Sequence, residues 1–214
     1  MSAWRRRLVT WPLGLALLLL LSWIGYTFFF EGNLGQPEYR VVEEIGEVEI
    51  RRYTPFIIAS TAMQEGGDSG LRSGFRVLAG YIFGGNEPAI KLAMTAPVLQ
   101  QNESGESLPM QAPVLANGED KRMAFVMPEG RTLDDLPKPD DPKVSLNQVD
   151  WGMVAAIRFS GRGKQKRFHE AEKSLREILS QTQHTASGPA LFAQYNSPSA
   201  FPPMRRNEVL IPIQ

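Results

Sequence analysis

The sequence predicts an α+β domain of two ββαββ units, preceded by one N-terminal transmembrane helix. Three observations support this fold class. The first is a run of 23 residues without a charged side chain at Leu8–Phe30. The second is the order of strand-like and helix-like segments, which occurs twice in the rest of the chain. The third is that both predicted helices are amphipathic, so each is expected to cover a sheet.

The N-terminal segment has the length and composition of a membrane span. As a helix, Leu8–Phe30 would extend roughly 34 Å, against a hydrocarbon core of about 30 Å. Three arginines at 5–7 precede it and Glu31 follows it. The positive-inside rule therefore predicts a cytoplasmic N-terminus and an extracytoplasmic, periplasmic body. A cleaved signal peptide is the alternative, but Ser22–Tyr26 is too bulky for a cleavage site.

These features divide the chain into a cytoplasmic N-terminus at 1–7, a transmembrane anchor at 8–30, a linker at 31–37 and one domain at 38–214. The chain has 23 basic and 23 acidic residues. No basic surface is therefore predicted, and nucleic-acid binding is not expected. The absence of cysteine excludes disulfides, thiol nucleophiles and thiolate metal sites.

The first predicted unit begins with strands at 48–53 and 56–61, which we expect to pair with each other. Val48 and Ile50 alternate with charged residues, the period of a half-buried strand. Apolar residues at helical spacing predict a helix from Ser69 to Phe83. Further strands are predicted at 91–100 and 123–127.

The second predicted unit repeats this order. Its strands are placed at 144–149, 153–160, 191–195 and 208–213, with a helix at 164–181. The prolines between 109 and 142 predict loop or edge structure, because proline cannot donate to a strand ladder. Arg205–Glu208 is expected to organise the final strand through Arg–Glu pairing and asparagine turn bonding.

Six blocks of the body resemble the SOUL family of haem-binding proteins. They occur in order along nearly the whole body, at Val48–Tyr53, Gly74–Asn86, Lys91–Val98, Phe125–Pro128, Tyr195–Pro198 and Arg205–Val209. The resemblance implies a pseudo-twofold, distorted antiparallel β-barrel of two ββαββ repeats with two flanking helices. It also implies non-covalent binding of haem or another tetrapyrrole.

The resemblance implies a binding site as well, and this sequence departs from the family pattern there. Arg52 stands where some relatives carry an axial histidine. Relatives without an axial ligand have an apolar pocket beside the first helix, with basic side chains that meet the propionates. Arg72 matches one of these basic residues, whereas Gly80 and Phe201 stand at two others.

The candidate ligand-binding residues are Arg72, Arg76, Met63, Leu71, Phe75, Leu78, Phe83 and Phe201. Guanidinium groups match carboxylates in a bidentate geometry, and haem joins two carboxylates to a large apolar ring. Alternatively, the arginines are solvated on the outer helix face and the apolar residues form core. Met94 is a possible soft iron ligand. His169 is expected to be solvated and His184 to lie in a polar loop, so no metal ligand is predicted.

The leading function is that of a membrane-tethered, extracytoplasmic binder of haem or a related tetrapyrrole, without an axial histidine. An alternative keeps the fold and changes the ligand to another planar or amphipathic molecule. The third hypothesis is an enzyme, either one that acts on a tetrapyrrole or a hydrolase. The sequence has no Gly-x-Ser-x-Gly, Walker or His-Glu-x-x-His motif, so no catalytic residue is predicted.

Overall fold

The computed structural model describes residues 3–31, 34–63, 67–101 and 121–214. Its main element is a nine-stranded antiparallel sheet curled into a half-barrel. The strands are β1 (Tyr39–Ile45), β2 (Val48–Tyr53), β3 (Phe56–Ala62), β4 (Asn86–Glu87), β5 (Val98–Gln101), β6 (Arg122–Val126), β7 (Lys138–Pro139), β8 (Ser145–Val149), β9 (Met153–Ser160), β10 (Leu191–Gln194) and β11 (Arg206–Ile213). The helices are α1 (Ala3–Tyr26), α2 (Gly67–Ile82) and α3 (Gln165–Leu179), and α1 continues into a π-helical turn at Thr27–Glu31.

The strand order of the sheet is β1-β2-β9-β11-β10-β5-β6-β3-β8, while β4 and β7 form a separate pair. If β1 is left out and each strand of the first unit is matched with the strand at the same position in the second unit, the order reads the same from both ends of the sheet. In this matching β2 corresponds to β8, β3 to β9, β5 to β10 and β6 to β11. The predicted pseudo-twofold arrangement of two ββαββ units is therefore confirmed, with its axis between β5 and β10.

The expected pairing of the first two predicted strands is wrong. β2 pairs with β9, and β3 pairs with β8, so the first strand of each unit completes the sheet of the other unit. β2 forms its hairpin with β1 instead. The sequence pattern did not reveal β1 because its residues are mostly exposed, which removes the apolar alternation of a half-buried strand.

Two other segments differ from or refine the prediction. The strand expected at 91–100 is limited to β5, because Pro97 has no N–H to donate. Before it, Thr95 makes an isolated bridge with Gly35. Residues 109–120 of the proline-rich stretch lie outside the described residues; the remainder includes β6 and the short strand β7.

Alternate residues of the strands enter different apolar clusters. Ile58 and Val126 belong to a cluster inside the curl of the sheet, whereas Ala59 and Phe125 pack under α2 on the outer face. A third cluster lies under α3. Gly74 allows α2 to approach the sheet, since a Cβ at this position would lie 3.3 Å from the Met63 side chain. Both helices thus cover the outer face, as their amphipathic patterns predict.

Candidate ligand-binding groove

A groove of about 770 Å³ lies between α2 and the outer face of β5 and β6. This volume is in the range of small-molecule sites. One wall is the α2 face that carries Leu71, Arg72, Phe75, Arg76, Ala79 and Gly80, followed by Phe83. Met123 and Phe125 of β6 lie opposite, and Gln194–Pro198 borders the groove as well.

Five of the eight predicted ligand-binding residues line the groove together: Leu71, Arg72, Phe75, Arg76 and Phe83. The other three lie elsewhere. Leu78 is fully buried in the apolar cluster between α2 and the sheet, and Met63 packs against the same cluster. Phe201 contacts Trp23 of α1 edge-to-face, with ring centroids 5.1 Å apart.

The core beneath α2 does not bury all of the apolar residues of this helix. Leu78 and Ile82 are buried, but Phe75 is 40% exposed and Phe83 is 58% exposed. Met94, on the segment before β5, is also 39% exposed and lines the groove. Exposed apolar surface of this kind marks a ligand, partner or membrane contact.

The polar groups of the groove stand on two walls. Arg72 and Arg76 lie one helical turn apart on α2, so both guanidinium groups can reach one anionic ligand. Gln100, Gln194 and Asn196 belong to the other side. The groove therefore joins an apolar centre to cationic and amide groups, which suits a flat amphipathic ligand with carboxylates.

Arg52 and both histidines lie away from the groove. Arg52 is exposed on β2, which β9 and β11 separate from the groove strands. His169 is 54% exposed on α3, as expected. The loop residue His184 is less exposed than expected, at 15%, because its Nε2 lies 2.9 Å from Glu43 Oε2. Within the described ranges, no three His, Asp or Glu side chains are arranged to hold a metal ion.

Tyr195 connects the groove wall to an ion network inside the half-barrel. Its hydroxyl donates to Glu208 Oε2 at 2.8 Å, and burial raises its pKa well above the ordinary value. Arg51 donates to Glu208 through Nη1 and Nη2 at 2.7 and 3.1 Å. Arg206 Nε also donates to Glu208, at 2.8 Å. The network thus fixes the Tyr195 side chain inside the curl of the sheet, while the segment that carries it borders the groove.

The charge state of Glu208 is set by competing effects. Burial alone would raise its pKa, but the hydrogen bonds and charges of Arg51 and Arg206 outweigh burial and hold the pKa below its usual value. Asn207 donates through Nδ2 to the Gly161 carbonyl at 2.9 Å. The structural role predicted for the Arg205–Glu208 segment is therefore confirmed.

The C-terminal end of α1 contacts the loop that borders the groove. Ser197, a groove residue, donates through its backbone N–H to Glu31 at 2.7 Å. Trp23 Nε1 donates to the Ser199 carbonyl at 2.7 Å. The apolar helix and the groove are thus joined through one short segment.

The structure is an α+β domain with a curled sheet and an open amphipathic groove beside one helix. These features are typical of a domain that binds a small molecule. The SOUL heme-binding protein model matches residues 34–212 of the chain. The chain belongs to the SOUL haem-binding protein family.

Two curated relatives and one solved structure illustrate the similarity. Heme-binding protein 2 of Homo sapiens is 28% identical over 155 residues, which are 72% of each chain. Heme-binding protein 2 of Mus musculus is 39% identical over 79 residues, 35% of this chain and 38% of that protein's length. The crystal structure of the EcmrR C-terminal domain has a TM-score of 0.53 at 9% identity and covers 82% of this chain and 98% of that one. The last likeness shows the fold alone.

Proposed function

We propose that this protein is a membrane-tethered, extracytoplasmic binding protein, rather than an enzyme, for haem or a related tetrapyrrole. Family membership and the names of the two relatives support the ligand class. The observation that carries the proposal is the groove beside α2, which Phe75 and Phe83 line together with Arg72 and Arg76. The aromatic residues contact the ring, and the guanidinium groups pair with its carboxylates.

Binding in this proposal depends on the ring and its carboxylates more than on iron. Neither histidine is among the described residues that line the groove. Met94 and Met123 do line it, but a thioether is a weak ligand and usually only packs. The tetrapyrrole is therefore held by apolar contact and propionate pairing.

Metal-free protoporphyrin is expected to bind within about tenfold of haem, a difference of roughly 1.4 kcal/mol, because removing the iron breaks no strong bond to the protein. Absorbance and fluorescence titrations of the full chain in detergent measure both affinities. Met94→Leu is the control and should leave the ratio unchanged. A sharp six-coordinate haem spectrum, lost in Met94→Leu or His184→Ala and accompanied by far weaker porphyrin binding, would contradict this mode.

The extracytoplasmic placement of the body is a separate prediction. The helix that includes Pro12–Glu31 is long and apolar enough to cross a membrane, and three arginines at 5–7 precede it. A reporter that is active only after export, fused after Gln214, is expected to be active in cells. Activity of a matched reporter that functions only in the cytoplasm would reverse the orientation.

One observation favours a different planar or amphipathic ligand. Gly80 stands where relatives have a basic residue, and a Cβ built there would meet nothing within 4 Å. The groove is therefore open at this point, and it has fewer basic side chains than the pockets of the relatives. Binding of a neutral aromatic amphiphile, without binding of either tetrapyrrole, would select this alternative.

A further inference from the structure

The end of α1 and the segment Pro198–Met204 run beside each other. Trp23 Nε1 bonds to the Ser199 carbonyl, and the Phe201 N–H donates to Thr27 Oγ1 at 2.8 Å. The Ser197 N–H, just before this segment, bonds to Glu31. Glu31 follows Trp23 by eight residues, which extend at most about 12 Å along a helix at about 1.5 Å per residue. Part of the domain therefore lies beside the last turns of the apolar helix rather than beyond its end.

The segment itself is apolar. Pro198–Met204 contains no charged residue, and Met204 is 36% exposed. On the adjoining turn of the helix, Phe28, Phe29 and Phe30 are 63%, 68% and 68% exposed. Trp and Tyr at the end of a membrane-spanning helix are enriched at the level of the lipid headgroups, and Trp23 and Tyr26 at this end are 41% and 47% exposed. A domain segment bonded to the helix at Trp23 and Thr27 lies at that same level.

The groove begins at this level too. Asn196, Ser197 and Pro198 line it, and Ser197 is bonded to Glu31. Leu34 also lines the groove and follows Glu31 by three residues, which span at most about 10 Å even when fully extended. An edge of the groove is therefore close to the surface of any bilayer that the helix crosses.

We propose that Pro198–Met204 lies in the bilayer interface and that the groove exchanges its ligand directly with the membrane. The partner is a lipid surface. The nature of the ligand rests on the function proposed above, and the lipid contact rests only on the membrane-spanning helix of that proposal. An apolar ring with carboxylates partitions into the interface, so this route transfers it without exposing its apolar faces to water.

The chain has no cysteine, so one introduced thiol gives one labelled site. Met204→Cys and, as the control, Glu170→Cys on the exposed side of α3 are each labelled with a nitroxide in full-length protein. The protein is reconstituted in phosphatidylcholine and phosphatidylglycerol vesicles, and circular dichroism checks folding. Collision rates with oxygen, which concentrates in lipid, and with a water-soluble nickel chelate are then measured.

The ratio of oxygen to nickel collisions is expected to favour oxygen at 204 and nickel at 170. Equal ratios at the two sites would overturn the proposal. A label at 204 that is shielded from both reagents would also overturn it, since this result indicates a protein partner. The assay contains no ligand, so its outcome is independent of whether tetrapyrroles bind.

The exchange route is tested by kinetics. Metal-free protoporphyrin is placed either in the vesicles that contain the protein or in separate donor vesicles at the same total concentration. Direct exchange predicts several-fold faster binding from the protein's own vesicles, whereas passage through water predicts equal rates. Equal rates together with a lipid-embedded label would overturn direct exchange. Absence of porphyrin binding in detergent as well would overturn the proposed function and, with it, this exchange route.

Discussion

Arg51→Ala is expected to lower the free energy of unfolding by about 3 kcal/mol, near the lower end of the range for breaking a buried ion pair. Arg51 is 2% exposed and Glu208 is fully buried, so the variant leaves a buried carboxylate without its bidentate partner. The loss is not larger because Arg206 and Tyr195 still donate to Glu208. Chemical unfolding of the full chain in detergent micelles, followed by circular dichroism, measures the change.

Arg52→Ala is the matched control, since Arg52 is the next residue of β2 and its side chain is exposed. Its effect should be within about 0.5 kcal/mol.

The pH dependence of stability provides a second readout. The lowered pKa of Glu208 contributes stability above its unfolded pKa, and this stability is lost as pH falls through the folded pKa. Removing Arg51 should shift acid unfolding to higher pH. Equal destabilisation by both variants would contradict the network's role.

The double variant Arg72→Glu, Arg76→Glu is expected to weaken protoporphyrin binding by at least about a hundredfold. Each charge-assisted hydrogen bond contributes about 1.5–3 kcal/mol, and two lost bonds therefore remove at least about 3 kcal/mol. The new carboxylates also repel those of the ligand. Fluorescence titration of the full chain in detergent measures the affinity.

The control for this charge reversal uses the corresponding helix of the other unit. Lys166→Glu with Lys173→Glu makes the same change in net charge on the exposed face of α3. Its porphyrin affinity should stay close to that of the unaltered chain. A similar loss in both double variants would mean that net charge, and not pairing in the groove, governs affinity. No loss in either would place the ligand outside the groove.

Local periodicity predicted most of the secondary structure, because apolar spacing reports which side of an element is covered. It did not distinguish core from groove on α2. Phe75 and Leu78 both belong to the apolar pattern, yet Leu78 is fully buried and Phe75 is 40% exposed in the groove. Which of the two is covered depends on the width of the sheet beneath the helix, and that width is set by strands far away in the chain.

The parts of the site that come from distant segments were the hardest to predict. Gln194–Pro198 borders the groove only because β10 pairs with β5 at the centre of the sheet. A signal was present, since Tyr195–Pro198 is one of the blocks that carry the family resemblance. Phe201 stood at a position matched to a basic pocket residue, but the structure places it against α1. Matching this single position to the family could not predict the contact with Trp23, which lies before the matched residues 34–212.

The exchange of first strands between the two units determines when the chain can fold during its synthesis. Val48 of β2 pairs with Ile157 of β9, and Phe56 of β3 pairs with Val149 of β8. The N-terminal unit therefore lacks its outer strand until the C-terminal unit has been made. Such sequence-distant pairings slow folding, because a long loop must close before any contact stabilises it. A ribosome must therefore release most of the polypeptide before either half of the groove-bearing sheet is complete.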